Sequence, residues 1–350
     1  MELIETQNVY GDGHHNAWTD LALFQDRWYV FFKSGWWHAQ PGHRPVYARS
    51  TDLTASEWEK PRGIAPLDNL QLMGSGPAKF FVWQEQLWAV VDMAMQPEPN
   101  LATPPGRATH SQAFVMHSPD GLIWSEPRPV FERGQYLWRV QVHGGSLYAA
   151  LFEISYERNR DIWLLRSDDM FRWQEVARWH GSQPDLLFDE GGEAVSLGLS
   201  ARESGNFRNL DTLRWAPPPY TEWRTEELGF IVHSPVLARA GGKLLMAGVE
   251  WLSEPGRQTT LRAYENGAFG EPLILFPDGD CGYPGMIAVP ERDDEVLVSY
   301  YGGVDRPGLS FKPVTVKHEI DGETYSGYTD VAAYYFAQNC NIFVSRVRVN

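Results

Sequence analysis

TDLALFQDRWYVFF, residues 19–32, is the stretch that decides the fold. Apolar side chains alternate along its first half, the polar residues Gln25 and Asp26 follow, and a second apolar run begins at Trp28. Alternation with a period of two is typical of a half-buried β-strand, and a short polar step between two such runs is typical of a hairpin turn. The stretch therefore predicts a β-hairpin.

The same pattern recurs five more times along the chain. The repeats start at Pro77 (PAKFFVWQEQLWAVVDM), Leu137 (LWRVQVHGGSLYAALF), Pro184 (PDLLFDEGGEAVSLGL), Ser234 (SPVLARAGGKLLMAGVE) and Pro284 (PGMIAVPERDDEVLVSYY). A period of roughly 50 to 60 residues is typical of propeller blades or solenoid repeats. Six hairpins predict an all-β, six-bladed β-propeller that occupies residues 1–350 as a single domain.

The two ends of the chain supply the last pieces of the repeat. Residues 341–350 (NIFVSRVRVN) are predicted as the final strand of the sixth blade, and residues 2–10 (ELIETQNVY) as the outermost strand of the same sheet. Pairing of the two would tie both ends into one sheet. The segment between Tyr301 and Asp330 has no period, which predicts a long polar loop, either a wall of the site or a surface excursion.

Composition excludes several classes of function. The formal net charge is −15, which argues against nucleic acid as a partner because such binding depends on clustered Lys and Arg. No long apolar run and no secretion signal at the start are present, so we expect no membrane partner and a cytoplasmic location. Cys281 and Cys340 are expected to be buried free thiols, with a single disulfide bridge as the alternative.

Between the hairpins lie turns with the pattern Ser-x-Asp…Trp. They read STDLTASEW from Ser50, SPDGLIW from Ser118 and SDDMFRW from Ser167. The Asp of such a turn accepts backbone N–H bonds, while the Trp packs between neighbouring sheets. These turns resemble the Asp-box of sialidase-type propellers, which is a folding device and carries no chemistry.

Polar residues at the starts of the first strands point to a functional site. In a propeller these strand starts converge on the central axis, so residues distant in sequence become neighbours. Asp20, Arg139 and Tyr283 all lie in such positions. Each alone is explained by a structural role, but several converging on one axis indicate a site.

Essentially the whole chain resembles the sialidase superfamily, and more closely a group of bacterial sialidase-like propellers. The resemblance rests on the segments HHNAWTDL, LWRVQVH, PPYTEW and DCGYPGMI. It implies a propeller that acts on carbohydrate. Residue by residue, it implies Tyr283 as the nucleophile, Asp185 as its carboxylate partner, and Arg202 and Arg257 as arginines that hold a substrate carboxylate.

The chemistry of this set is coherent. A neutral tyrosine is a weak nucleophile because its pKa is about 10, so a carboxylate such as Asp185 has to take its proton. Arg202 and Arg257 stay charged at any relevant pH, and their planar guanidinium groups match a carboxylate. The set favours an anionic sugar as substrate.

Two positions depart from the family's pattern. The arginine expected at the start of the first blade is replaced by the segment AWTDL, and the acid/base aspartate after the first hairpin is not evident. His38 or Asp20 is then the candidate proton donor, because a histidine titrates near neutral pH. Alternatively, Trp36 and Trp37 form a wall that stacks on the sugar, and His38 only binds a hydroxyl. The other residues expected to bind substrate are His15, Lys33, Arg139, Glu250 and Tyr300.

No cofactor and no metal are expected. His14, His15 and His38 lack the spacing of a metal-binding motif. No glycine-rich phosphate loop and no Gly-x-Ser-x-Gly elbow are present.

Three functions remain open. The first is a glycoside hydrolase that removes a terminal anionic sugar with retention, through a covalent intermediate on Tyr283. The second is a polysaccharide lyase, with Tyr283 and His38 as base and acid and an arginine that neutralises a uronic acid. The third is a non-catalytic propeller whose rim aromatics bind a glycan or a protein.

Overall fold

A computed structural model describes residues 1–35, 44–64, 67, 72–95, 111–131, 135–153, 161–199, 211–253, 256–276, 279–290, 292–304, 315–320, 323–328 and 339–350. The elements bounded within these ranges are all β-strands, as the sequence predicts. The described residues include no helix that is long and apolar enough to span a bilayer.

The strands are numbered in chain order. The first thirteen are β1 (Glu2–Tyr10), β2 (His15–Phe24), β3 (Arg27–Gly35), β4 (Arg44–Arg49), β5 (Arg62–Gly63), β6 (Leu72–Trp83), β7 (Gln86–Met95), β8 (Ser111–Ser118), β9 (Arg128–Val130), β10 (Gln135–His143), β11 (Ser146–Glu153), β12 (Asp161–Ser167) and β13 (Gln174–His180). The others are β14 (Ser182–Phe188), β15 (Ala194–Leu199), β16 (Asp211–Ala216), β17 (Arg224–Glu227), β18 (His233–Ala240), β19 (Lys243–Ser253), β20 (Gly256–Glu265), β21 (Ala268–Phe269), β22 (Leu273–Phe276), β23 (Cys281–Val289), β24 (Arg292–Val304), β25 (Thr315–Ile320), β26 (Glu323–Tyr328) and β27 (Asn339–Arg348).

Four sheets follow the chain as simple meanders. Their strand orders are β6-β7-β8-β9, β10-β11-β12-β13, β14-β15-β16-β17 and β18-β19-β20-β21, and β22 also pairs with β20. An eight-stranded sheet has the order β23-β24-β27-β2-β3-β4-β5, with β1 on β27. Its two halves meet at a single parallel bridge between His15 and Cys340. The six predicted hairpins are all confirmed as antiparallel strand pairs, β2–β3, β6–β7, β10–β11, β14–β15, β18–β19 and β23–β24.

The first strands of these hairpins surround a common axis. Strands β2, β6, β10, β14, β18 and β23 each contact the next, and β23 contacts β2, so the circle is closed. We call these six strands the inner ring. The molecule is therefore an all-β protein with a β-propeller arrangement.

The predicted pairing of the chain ends is confirmed. Strand β1 runs antiparallel to β27, from Glu2 opposite Arg348 to Tyr10 opposite Ile342. The predicted free thiols are also found, because Cys281 and Cys340 are both buried and unbridged. The segment after Tyr301 is more ordered than predicted, since β25 and β26 pair within it as a two-stranded sheet.

The outer turns behave as their chemistry predicts. In the turn after β8, one oxygen of Asp120 accepts the backbone N–H groups of Leu122 and Ile123, both at 2.8 Å. The following Trp124 is buried against Phe80 of the inner ring, with aromatic ring centroids 5.9 Å apart. This turn therefore fixes its own loop, and Trp124, whose ring centroid is also 6.0 Å from that of Tyr47 on β4, fills the space between two sheets.

A buried carboxylate connects two neighbouring sheets on the other side of the molecule. Asp211 begins β16, is fully buried and accepts a hydrogen bond from the Val232 N–H just before β18. Burial, reinforced by the nearby charge of Glu250, raises the pKa of Asp211 to about 8. The carboxyl group is therefore protonated over a wide pH range in the folded chain.

Asp211 makes the stability of the protein depend on pH. Between about pH 4 and 8 the carboxyl group ionises readily in the unfolded chain but not in the folded one, so a rise in pH favours unfolding. We expect the free energy of unfolding to fall by about 1 kcal/mol per pH unit in this window relative to Asp211→Asn. Urea unfolding of both proteins from pH 4 to 8 measures the difference, and a constant difference would contradict the raised pKa.

Candidate active site at the centre of the inner ring

Every strand of the inner ring has a β-bulge close to its start. The register shifts fall between Ala17 and Asp20, Ser75 and Ala78, Leu137 and Arg139, Ser182 and Asp185, His233 and Val236, and Gly282 and Gly285. A bulge bends its strand and redirects a side chain. We call the side chains at these positions the bulge layer; it consists of Trp18, Trp138, Gln183, Ser234 and Tyr283.

The backbone of this layer is held in an unfavourable conformation. The φ angles of Trp18, Gln183, Ser234 and Tyr283 are 61°, 53°, 55° and 43°, all in the left-handed region. Such a conformation costs a bulky residue on the order of 1 kcal/mol or more, and it persists only where surrounding contacts hold it. Strain of this kind is concentrated at functional sites, so the bulge layer is the first place to look for one.

Tyr283 lies at the centre of an aromatic group. Its aromatic ring centroid is 5.6 Å from that of Trp18, 5.7 Å from that of Trp138 and 6.4 Å from that of Tyr301. The side chain is only partly buried, so it keeps some contact with solvent. Burial raises the pKa of Tyr283, while Arg257 and the Ser234 hydroxyl act against that rise. Tyr283 is therefore a neutral phenol at neutral pH that has a cation beside it.

Asp280 organises the charged groups next to Tyr283. It is fully buried, and its carboxylate contacts the Tyr301 hydroxyl at 3.1 Å, His15 Nε2 at 2.8 Å and Arg257 Nη1 at 3.4 Å. Arg257 keeps 21% of its side chain exposed, whereas Asp280 and His15 have none. Asp280 thus holds the guanidinium group of Arg257 at a position that a ligand in the bulge layer can reach.

A buried lysine lies in the same region. Lys33 Nζ is 3.0 Å from the centroid of the Trp18 aromatic ring, and its side chain has no exposed surface. Burial holds the pKa of Lys33 well below its usual value, although Asp280 and Cys340 oppose that effect. His15, Asp280 and Cys340 offer atoms that lie within 4.8 Å of one another, and Arg257 Nη1 is 3.4 Å from the same Asp280 carboxylate.

A buried ionic layer lies one step further along the inner strands. Arg139 Nε contacts one oxygen of Asp185 at 2.5 Å, and its Nη1 contacts one oxygen of Asp20 at 3.1 Å. The other oxygens of Asp185 and Asp20 accept the backbone N–H groups of Leu237 at 2.6 Å and Phe80 at 2.8 Å. The ionic layer, Asp20, Lys79, Arg139 and Asp185, therefore connects strands from across the inner ring.

Comparison with known proteins identifies the fold. No protein-family model matches the chain, and no curated protein matches it in sequence. A sialidase of Trypanosoma rangeli in complex with sialic acid matches with a TM-score of 0.63 at 11% identity, over 95% of this chain and 54% of that one. An α-L-arabinofuranosidase of Fusarium graminearum matches with a TM-score of 0.62 at 9% identity, over 98% of both chains. The fold is that of a sialidase-like β-propeller.

The chain spans about half the length of the trypanosomal sialidase. A thermostable family-43 glycoside hydrolase also matches, with a TM-score of 0.51 at 13% identity, over 77% of this chain and 96% of that one. Identities this low show a shared fold and no more, so the chemistry has to be argued from the residues of this chain.

The fold places some of the predicted site residues next to one another and keeps others apart. Tyr283 and Arg257 are neighbours, with His15 and Lys33 in contact with the same group through Asp280. Asp20, Arg139 and Asp185 also meet, but they bond to one another in the ionic layer. The predicted residues Trp37, His38 and Arg202 lie outside the described residues, and their roles stay predictions.

Two residues expected to bind substrate are bonded within the packing of the sheets. Tyr300 has no exposed surface, and its hydroxyl group contacts the Leu275 carbonyl at 3.2 Å and the Ser345 hydroxyl at 2.9 Å. Glu250 is 2% exposed and forms a salt bridge with Arg262, with a closest distance of 2.8 Å. Their role in binding substrate stays a prediction.

Several residues of the site were not selected from the sequence, namely Trp18, Trp138, Ser234, Asp280 and Tyr301. A signal for some of them exists. Residues 76, 183, 234 and 283 each precede a proline, and an alignment of the repeats on those prolines places them at one structural position. Trp18 and Trp138 follow from the same alignment, whereas Asp280 and Tyr301 have no comparable signal.

Proposed function

We propose that this sialidase-like propeller is a glycoside hydrolase that removes a terminal anionic sugar at the bulge layer. The observation that carries the proposal is the pair formed by Tyr283, partly exposed at the centre of the layer, and Arg257, a reachable guanidinium group beside it. Trp18, which is partly exposed next to Tyr283, adds aromatic surface against which a sugar ring can pack. The fold of its structural neighbours, which are glycoside hydrolases, supports the same class.

The proposal includes six blades. The eight-stranded sheet is then two blades, β2-β3-β4-β5 and β23-β24-β27-β1, whose strand pairing among the described residues is limited to the bridge between His15 and Cys340. Six hairpins and an inner ring of six strands support this count. Each blade would then have one bulge, and the bulge in β6 adds no side chain to the bulge layer because residue 76 is a glycine.

In the proposed reaction, Tyr283 Oη attacks the anomeric carbon and the bond to the leaving oxygen breaks. That oxygen takes a proton from an acid, and water then hydrolyses the glycosyl-tyrosine, so the configuration is retained. His38 is the proposed acid, because Asp20 is bonded to Arg139 and to the Phe80 N–H in the ionic layer. Arg257 binds the anionic group of the sugar.

The proton of Tyr283 needs an acceptor. Asp185, the partner that the sequence resemblance implies, is bonded to Arg139 and the Leu237 N–H, so transfer to it has to pass through another group. The Ser234 hydroxyl, which interacts with Tyr283, is the group that we propose for this step. We expect Ser234→Ala to lower kcat while leaving KM nearly unchanged.

Replacing Arg257 with Met tests the recognition of an anion. We expect kcat/KM for an anionic aryl glycoside to fall about a hundredfold, because a charged hydrogen bond to the substrate is lost. The neutral analogue of the same glycoside should lose less than about threefold, since it never made that bond. Arg224→Met, on the outer strand β17, is the matched control and should leave both values unchanged. Equal losses on both substrates would contradict the assigned role of Arg257.

A second candidate function is a polysaccharide lyase. One observation favours it: among the described residues, no carboxylate is hydrogen-bonded to the Tyr283 hydroxyl, and its raised pKa suits an acid. Arg257 would then neutralise the carboxylate of a uronic acid. Incubation with uronic-acid polysaccharides distinguishes the two, because a lyase leaves an unsaturated product that absorbs in the ultraviolet and a hydrolase does not.

A further inference from the structure

The inner ring encloses a cavity on the far side of the ionic layer. Its volume is about 450 Å³, and its walls come from all six strands of the inner ring. We call it the central channel. Every described side chain that lines it is apolar except Arg139, Gln141 and Arg239. A cavity of this volume, lined by apolar residues together with a few polar ones, is typical of sites for small organic ligands.

One polar group at the inner end of the channel has no partner. Arg139 lines the channel and is 7% exposed. Its Nε and Nη1 atoms are bonded to Asp185 and Asp20, but Nη2 has no hydrogen-bond partner within the described part of the chain. A buried N–H without an acceptor is costly, so this end of the channel favours a ligand with an acceptor atom.

The charges at the inner end indicate that the ligand is uncharged. Asp20 and Asp185 balance Arg139 and Lys79, so the ionic layer is already close to neutral. An additional carboxylate would lie near two others in a region of low dielectric constant. A hydroxyl group suits this end of the channel better than a carboxylate does. It is uncharged, it can accept a hydrogen bond from Arg139, and it can donate one to a backbone carbonyl of the inner ring.

The outer end of the channel suits an aliphatic chain. Val82 and Val142 both line the channel and are both 39% exposed. Exposed apolar side chains at the mouth of an apolar cavity extend the surface that a hydrocarbon chain can cover. Three polar residues, Arg139, Gln141 and Arg239, line the channel, and Arg139 at the inner end is the most deeply buried of them.

We propose that the central channel is a binding site for small aliphatic alcohols, with the hydroxyl group at Arg139 and the carbon chain directed towards Val82 and Val142. The site is on the opposite side of the ionic layer from the bulge layer. It does not depend on the proposed glycosidase activity.

The test is a binding titration with 1-hexanol, followed by calorimetry and by saturation-transfer NMR. Gln141→Trp fills the channel from a partly exposed lining position, and Gln174→Trp makes the same change on the outermost strand of the same sheet. We expect saturable binding to the unaltered protein and to Gln174→Trp, and at least about tenfold weaker binding to Gln141→Trp. Melting temperatures of both variants establish that they are folded.

Hexanoate is the matched anionic probe. It should bind the unaltered protein at least about tenfold more weakly than 1-hexanol does. Absence of saturable hexanol binding, or equal binding to Gln141→Trp and Gln174→Trp, would overturn the site. Equal or tighter binding of hexanoate would overturn the class of ligand. None of these readouts measures sugar release, so a failure here leaves the proposed hydrolase untouched.

Discussion

Tyr283→Phe is expected to lower kcat on the preferred aryl glycoside at least about a thousandfold, because the variant has no oxygen with which to form the glycosyl intermediate. The aromatic ring stays, so its contacts with Trp18 and Trp138 and the melting temperature should be nearly unchanged. Release of the aryl group from a panel of sialic, uronic and neutral glycosides, with the parent protein alongside, gives both the sugar and the size of the loss.

Tyr264→Phe is the matched control for this experiment. Tyr264 lies on β20 and donates its hydroxyl proton to Glu226 at 3.0 Å, away from the bulge layer. The variant should retain full activity. A Tyr283→Phe protein that hydrolyses the substrate as fast as its parent would rule out the tyrosine nucleophile. A parent that is inactive on glycosides and on uronic-acid polysaccharides would favour the non-catalytic propeller.

Arg139→Met is expected to lower the free energy of unfolding by about 3–5 kcal/mol, the typical effect of removing one partner from a buried ion pair. Arg139 is the group that connects Asp20 and Asp185, both of which are almost completely buried. Without it, the two buried carboxylates lose their shared cation, and Lys79 Nζ remains 3.9 Å from one oxygen of Asp20. Urea unfolding, followed by tryptophan fluorescence, measures the change.

Two further variants distinguish the effect of breaking this buried ion pair on stability from the effect of replacing an arginine in general. Arg166→Met removes a surface pair with Asp168 and should change stability by less than about 1 kcal/mol. Combining Arg139→Met with Asp20→Leu and Asp185→Leu removes all three charges, and it should recover part of the lost stability. A single Arg139→Met variant as stable as Arg166→Met would show that the ionic layer does not hold the inner ring together.

The sequence predicts the elements of this fold well because their signals are local. Alternation over a few residues identifies the hairpins, and the Ser-x-Asp turns carry their own hydrogen bonds, as at Asp120. The pairing of β1 with β27 follows from ring closure, in which both ends of the chain share one sheet. Strands β25 and β26 were not predicted because they lie outside the repeat. Among the described residues they pair with each other and with no strand of the blades.

The site is harder to predict because it depends on which way each side chain points. Tyr300 and Tyr301 are adjacent in sequence, yet only Tyr301 reaches Asp280, since neighbours in a strand face opposite sides. A bulge shifts this parity, and in only four of the six inner strands does a following proline mark where the bulge falls. Asp20 and Asp185 lie two residues beyond their bulge positions, and this offset places them in the ionic layer instead of beside Tyr283.

The seam between β1 and β27 also determines when the molecule can become complete during its synthesis. Glu2 and Arg348, which face each other across this seam, are 346 residues apart. At ribosomal rates of about 5–20 residues per second, β1 waits on the order of half a minute for its partner. Throughout that time the backbone N–H and C=O groups of this segment have no partner strand, and another nascent chain could pair with them. Glu2 and Glu5, both exposed on β1, place negative charge along the unpaired segment.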